Sequence, residues 1–247
     1  IPMPVEAVWA WLGLFILAGF TLEAITGFGG TVIALALGAL WLPIGTLVPL
    51  LVPLSMALGL AMAWRHRGHI DHRLLWRVVL PGMAAGTGAG YLLRPWLDET
   101  LMRQLFGALI MAFAARGLWR LRRPGAPRAR PLWMTRGLTT LAGVTHGLFA
   151  SGGPLLVVAL AGLPLNKATF RVTLIVVWLI LDTGLSLAFA ADGRLLPVWP
   201  LVLAYLPVVA LGIMLGEGLH KRVSEAHFRV AIDVLLLVCG ALLLRPR

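Results

Sequence analysis

The sequence predicts an all-α polytopic membrane protein made of two inverted repeats of five hydrophobic segments. Of its 247 residues, 60% are hydrophobic and only 13% are charged, compared with about 25% charged residues in soluble domains. The apolar residues form runs of helical length, and a short glycine motif interrupts them at matching places in the two halves. A soluble core of this size cannot bury so many apolar side chains, so a bilayer must solvate the remainder.

The first half contains five predicted segments, bounded by charged residues, proline or glycine. A helix needs about 20 apolar residues to span a bilayer, and the second segment, which follows the first glycine motif, is short for a full span. The segments are 5–25, 29–42, 46–64, 74–93 and 101–119. Together they predict a first transmembrane repeat over residues 1–119.

The second half repeats this pattern after a linker rich in Arg, Pro and Gly at 120–131. Its second segment is again short and again follows a glycine motif. The segments are 133–149, 153–164, 168–190, 198–218 and 227–244. They predict a second transmembrane repeat over residues 132–247, with the linker on the cytoplasmic side.

An internal duplication is indicated by residues that recur at fixed offsets. Gly29-Gly30 matches Gly152-Gly153 at an offset of 123 residues, and a P-x4-G-x3-G pattern followed by E-x3-R recurs at an offset of 126. The residues of that pattern are Pro81, Gly86, Gly90, Glu99 and Arg103 in the first half and Pro207, Gly212, Gly216, Glu225 and Arg229 in the second. Small residues at this spacing favour close helix packing in membranes.

The basic loops predict the topology, because loops rich in Lys and Arg remain in the cytoplasm. Two such loops, 65–77 and 116–136, are separated by two segments, so both are predicted to be cytoplasmic. The turn at 192–198, equivalent to the loop at 65–73, is predicted to be external, which inverts the halves. The net charge of +11 is explained by these basic cytoplasmic loops, which anionic lipid headgroups attract. No nucleic-acid partner is expected.

The glycine motifs predict an anion site. They read Thr26-Gly27-Phe28-Gly29-Gly30-Thr31 and Ala150-Ser151-Gly152-Gly153-Pro154, and each precedes an apolar helical run. A helix that starts after such a break presents free N–H groups and a positive dipole end, which bind anions. The predicted substrate-binding residues are Thr26, Gly29, Gly30, Thr31, Ser151, Gly152, Gly153 and Arg171. Tight helix packing by these glycines is the alternative, and a cytoplasmic anchor is the alternative for Arg171.

These motifs, with the basic loop between the repeats, resemble the TauE/SafE family of sulfite exporters. The resemblance rests on G-F-G-G-T at 27–31 and G-L-F-A-S-G-G-P at 147–154, and it covers essentially the whole chain. It implies transport of sulfite, organosulfonates, other small sulfur-containing anions or carboxylates. The first motif departs from the family pattern because it lacks the fuller run of glycines and the nearby proline.

Three ionisable residues inside the predicted segments are candidates for ion coupling. Glu23 and His146 each lie six residues before the matching glycines, and Asp182 lies in the middle of an apolar run. Charged groups at such depth are costly and usually functional, so H+ or Na+ coupling is expected. The alternative for Glu23 is a helix-end residue that reaches the membrane interface.

Two enzyme-like patterns are rejected. His66, His69 and His72 have helical spacing, but nearby arginines would repel a metal ion. Ser151 with His146 lacks the nucleophile elbow and the third group of a hydrolase. The sequence therefore predicts a bacterial inner-membrane, multi-pass transporter with alternating access, without enzymatic activity, cofactor or metal. An intramembrane enzyme and a non-transporting membrane assembly protein are the alternatives.

Overall fold

The computed structural model describes residues 5–122, 131–161, 163, 166–219 and 225–245. These residues are mainly helical and form no strand, which confirms the all-α prediction. The first half contains α1 (Val5–Thr26), α2 (Gly30–Gly38), α3 (Ile44–His66), α4 (Leu80–Leu93) and α5 (Glu99–Arg122). The second half contains α6 (Leu132–Phe149), α7 (Gly153–Leu160), α8 (Lys167–Ala191), α9 (Trp199–Leu219) and α10 (Glu225–Leu243).

Each of these helices falls on one predicted segment, with the largest differences in the second and fourth. The helix α2 ends at Gly38 rather than at residue 42, and Pro43 then begins the entry into α3. A π-helical stretch, Leu75–Val79, precedes α4. Pro81 has no N–H to donate to the preceding turn, so one hydrogen bond of the α-helical ladder is missing next to this stretch. The predicted linker, together with the side chains of Glu225 and Arg229, lies largely outside the described residues.

Five of the described helices are long and apolar enough to cross a membrane. They are Ala7–Thr26, Ile44–His69, Glu99–Arg120, Lys167–Ala191 and Leu196–Leu219. The protein is therefore a multi-pass membrane protein. Arg65 lies in the last turn of α3, and a cation is favoured there because the carbonyl end of a helix carries partial negative charge.

The chain reverses direction at both glycine motifs, so that each short helix packs back along the helix before it. Gly30, the first residue of α2, lies against Gly19 of α1, and Gly38 at the end of α2 lies against Leu12. In the second half, Gly152 lies against the carbonyl oxygen of Ala142 and against His146 on α6. Each motif is therefore the tip of a helical hairpin.

Glycines bring α4 into direct backbone contact with α6. A Cβ added to Gly86 would meet the carbonyl oxygen of Thr140 and the amide of Val144, and one added to Gly90 would meet Val144 and Gly147. The residue numbers of the contacting positions increase together on α4 and α6, so the two helices run parallel. This contact is the small-residue packing that the sequence predicts.

The helices α9 and α1 repeat the same contact. Gly212 lies against Leu17 and Thr21, and Gly216 lies against Thr21 and Ala24. The two glycines are 126 residues after Gly86 and Gly90, and their partners are 123 residues before those on α6. The same helix–helix contact is therefore formed twice, each time between one half of the chain and the other.

Two further pairs, each formed between the halves or at their ends, are antiparallel. On α3 and α8, Gly59 lies against Leu179, while the amide of Asp71, just beyond α3, donates to Thr173 Oγ1 at 3.1 Å. The helices α5 and α10 also run in opposite directions, because Gly107 lies against Gly240 and Gly117 against Asp233. The central pair α3–α8 is thus formed by the third helix of each half.

We predict that Gly86→Leu destabilises the protein, whereas Gly88→Leu does not. The added side chain at Gly86 would collide with backbone atoms of α6, but nothing lies within 4 Å of a Cβ at Gly88. Overpacking costs about 1–3 kcal/mol, which lowers the apparent Tm by several degrees. Thermal unfolding in detergent measures the difference, and equal Tm values for the two variants would contradict this packing.

Candidate functional site

A small polar cavity lies where the two hairpin tips meet. Its volume of about 10 Å³ is room for roughly one water molecule. The lining residues are Glu23, Gly29, Thr31, Val32, Ser55, His146, Ala150, Gly153, Trp178 and Asp182. They come from both hairpins and from the middle of α3 and α8, so neither half of the chain forms the cavity alone.

The first hairpin tip is held by side-chain hydrogen bonds to its own backbone. Gly27 and Gly29 have φ angles of 88° and 99°, a left-handed conformation that favours glycine. The hydroxyl of Thr26 donates to the carbonyl oxygen of Phe28 at 2.7 Å. From α8, Trp178 Nε1 donates to the carbonyl oxygen of Gly27 at 2.9 Å. These contacts satisfy backbone groups that the reversal leaves outside a helix.

The second tip uses a different residue for its reversal. Ala150 has a φ of 51° and corresponds to Gly27 at the 123-residue offset. Their amides make equivalent 2.7 Å hydrogen bonds to the carbonyl oxygens of His146 and Glu23. Gly152 has a φ of −77°, whereas Gly29, its counterpart in the first tip, has a φ of 99°. Gly152 instead provides room for the close approach of α6.

The two tips contact each other directly. The hydroxyl of Thr31, at the start of α2, donates to the carbonyl oxygen of Ala150 at 2.8 Å. A Cβ added to Gly153, at the start of α7, would lie 3.1 Å from Phe28 Cβ. Residues more than 100 positions apart in sequence thus close the cavity from two directions.

The cavity contains three ionisable side chains that are almost fully buried. His146 Nε2 lies 3.1 Å from Asp182 Oδ1, an ion-pair distance, and both side chains are at most 2% exposed. The hydroxyl of Ser55 donates to Glu23 Oε1 at a long 3.5 Å. The imidazole stacks on the Trp178 ring at 5.2 Å between centroids. His146 Nδ1 and Asp182 Oδ2 have no hydrogen-bond partner within the described part of the chain.

Glu23 occupies the position at which the sequence predicts a bound anion. A Cβ added to Gly30, the first residue of α2, would collide with Oε2 of Glu23, so the carboxyl group lies against the N-terminus of that helix. The positive end of a helix dipole stabilises a negative group there. In this conformation the Glu23 side chain, rather than a bound anion, fills the space beside the first turn of α2.

The structure brings six of the predicted site residues into the cavity lining and leaves five outside it. Those in the lining are Glu23, Gly29, Thr31, His146, Gly153 and Asp182. Thr26, Gly30, Ser151 and Gly152 lie in the hairpins beside it; Ser151 donates to the carbonyl oxygen of Phe149 at 2.9 Å. Arg171 lies near the start of α8 with its backbone against Gly27.

Sequence reasoning missed Ser55, Ala150 and Trp178. Ser55 had a usable signal, a lone hydroxyl in the middle of the apolar segment 46–64. Ala150 and Trp178 had no such signal. An alanine in the sequence does not indicate a left-handed conformation, and a tryptophan is common in membrane proteins.

No group of three or more His, Cys, Asp or Glu side chains arranged to hold a metal ion occurs among the described residues. The cavity has two carboxyl groups and one imidazole, and none of its lining residues is Lys or Arg. These side chains are chemically able to exchange protons, and the hydroxyls of Thr31 and Ser55 are able to donate hydrogen bonds.

Comparison with known proteins identifies the family. A family model described as "Sulfite exporter TauE/SafE" matches residues 11–243. A protein of Comamonas testosteroni named "Probable inner membrane transporter protein TsaS" is 30% identical over 206 residues, which cover 79% of this chain and 80% of that protein. No solved structure matches. A match along nearly the whole length of a multi-pass helical protein is decisive: the chain belongs to the TauE/SafE family and is a membrane transporter.

Proposed function

We propose that the protein carries small anions across the bacterial inner membrane by alternating access around the cavity between the hairpin tips. The observation that carries this proposal is the direct contact of the two tips through Thr31 and Ala150. Two short helices begin at that contact, and their first N–H groups have no partner within a helix. Such paired interruptions are typical of substrate sites in transporters.

The family match supports small oxyanions as the proposed substrate class. Sulfite, organosulfonates and small carboxylates present oxygen atoms that accept hydrogen bonds from backbone N–H and hydroxyl donors. The cavity of about 10 Å³ is smaller than any of these anions. The helices that line it must therefore separate during the transport cycle, and the conformation described here is a closed one.

The proposed cycle uses an inverted repeat. Two observations support it: equivalent glycines form the same contact twice, between α4 and α6 and between α9 and α1, and the equivalent helices α3 and α8 are antiparallel. Two halves related in this way are able to exchange conformations, so that the site opens first to one side and then to the other.

We further propose that the anion is accompanied by protons. A lining with two carboxyl groups and no Lys or Arg repels an anion unless the negative charge is reduced. Proton binding at Glu23 would also weaken its hold on the N-terminus of α2 and free that position for the substrate. Na+ coupling through the same carboxyl groups is the alternative that the experiments below distinguish.

We predict opposite sidedness for two equivalent loops. The loop at 65–73 is expected in the cytoplasm and the turn at 192–198 outside, because only the first is densely basic. Single cysteines at His69 and Leu196, in a Cys239→Ala background, are labelled with an impermeant thiol reagent in intact cells and in inverted vesicles. Labelling of both positions from the same side would exclude the inverted repeat.

We predict that Gly29→Val and Gly152→Val abolish sulfite flux in proteoliposomes. Valine is strained at the φ of 99° of Gly29, and at Gly152 it would collide with the Ala142 carbonyl oxygen and with His146. Gly184→Val on α8 is the matched control, since nothing lies within 4 Å of a Cβ there. Normal flux in either tip variant, with both proteins folded, would contradict the placement of the site.

We predict that Asp182→Asn and Glu23→Gln remove the pH dependence of flux while leaving some anion exchange. A coupled carrier needs a group that changes protonation in each cycle, and the neutral isosteres cannot do so. Asp182 is expected to give the larger effect. The measurement is flux against pH, with and without Na+, and pH profiles like that of the unaltered protein in both variants would exclude proton coupling through these residues.

A further inference from the structure

Two polar contacts, on different helices, join the two halves of the chain at opposite ends of the central pair α3–α8. The first contact links the end of α3 to α9. His66 Nε2 lies 2.9 Å from Glu217 Oε1, and Arg65 Nη1 lies 3.0 Å from Glu217 Oε2. Each oxygen of the Glu217 carboxyl group therefore has its own partner on α3. We call this contact the α9 latch.

The second contact links α4 to the residues that follow α8. The hydroxyl of Tyr91 donates to Asp192 Oδ2 at 2.7 Å. Arg194 Nε also donates to Asp192 Oδ2, at 2.7 Å, and its guanidinium lies over the Tyr91 ring at 5.2 Å. We call this contact the α4 latch. It is reinforced by Phe189, whose ring lies 5.9 Å from the Tyr91 ring.

The two latches occupy equivalent places in the repeats. Tyr91 follows Gly90 and Glu217 follows Gly216, so they are separated by the 126 residues that relate the packing glycines. Each reaches the C-terminal end of the third helix of the other half: Glu217 reaches the last residue of α3, and Tyr91 reaches the residue after α8. Because α3 and α8 are antiparallel, the latches lie at opposite ends of the pair.

The cavity lies between them. Ser55 in its lining is 11 residues before His66, and Asp182 is 10 residues before Asp192. At a rise of 1.5 Å per helical residue, each latch is about 15 Å from the cavity along its helix. Along the axes of α3 and α8, the cavity therefore lies between two contacts that connect the halves.

We propose that the two latches are the gates of the transport cycle, and that opening one while the other stays closed exposes the cavity to one side only. This proposal rests on the alternating-access function proposed above. Both latches are closed in the structure, in agreement with a cavity that has room for about one water. In this proposal, a movement of one half of the chain relative to the other breaks one latch and leaves the other latch closed.

The chemistry of each latch suits a reversible contact. Both are partly exposed: the Glu217 side chain is 20% exposed and that of Asp192 29%. Water can therefore replace the partners when a latch opens, and no buried charge is left alone. Burial raises the pKa of Asp192, but hydrogen bonds from Arg194 and Tyr91 lower it overall to about 2. The α4 latch thus keeps its charge at any pH well above that value.

The test measures from which side the cavity is reached. A reporter cysteine, Ser55→Cys in a Cys239→Ala background, is labelled by a small impermeant thiol reagent from either side of oriented vesicles. Glu217→Gln is expected to accelerate labelling from the α9-latch side. Asp192→Asn is expected to accelerate it from the opposite side. The expected change is roughly two- to fivefold, the range for partly exposed ion pairs.

Two further variants make the result specific. Tyr91→Phe removes only the hydroxyl group and should act in the same direction as Asp192→Asn. Arg73→Gln removes an exposed charge outside both latches and should change neither rate. Acceleration from the same side in both latch variants, or no change in monodisperse protein, overturns the proposal. The labelling does not depend on anion flux. If the two latch variants accelerate labelling from opposite sides but the protein does not transport sulfite, the gates would be supported and the proposed substrate would be excluded.

Discussion

The structure depends on satisfying the backbone polar groups that two chain reversals leave outside helices in the interior of a membrane protein. Lipid cannot hydrogen-bond such groups, so irregular backbone is tolerated only where protein or enclosed water satisfies it. The carbonyl oxygen of Gly27 accepts from Trp178, and that of Ala150 accepts from Thr31. Both donors belong to the other half of the chain, so assembly of the two halves stabilises each reversal.

Close helix packing places those donors. The pairs α4–α6 and α9–α1 approach through glycines that leave no room for a side chain, and the central pair α3–α8 then brings Ser55, Trp178 and Asp182 to the hairpin tips. Without a strong hydrophobic drive between helices in lipid, such shape-dependent contacts determine association. The contacts that stabilise the fold are therefore also those that assemble the cavity.

The electrostatics of the cavity link its closed conformation to its proposed function. The Glu23 carboxyl group lies at the start of α2, where an anionic substrate would bind, and the His146–Asp182 pair lies nearby. In the proposed function, this side chain would compete with the substrate until a proton removes its charge, which would connect proton binding directly to anion binding. The two latches would add the second requirement of a carrier, which is that the site opens to one side at a time.

The sequence by itself determined the ten helices, the two glycine motifs and the candidate residues Glu23, His146 and Asp182, because apolar runs, breakers and buried charges are local signals. Only the tertiary structure decided that Ser55, Ala150 and Trp178 join them, that Gly152 serves packing, and that the Glu23 carboxyl group lies against α2. Gly152 and Glu23 act through contacts within one hairpin, with Ala142 and Gly30, whereas Ser55, Ala150 and Trp178 join the cavity through hydrogen bonds between residues 32, 119 and 151 positions apart. Such contacts depend on how helices cross, and no local pattern in the chain specifies the crossing.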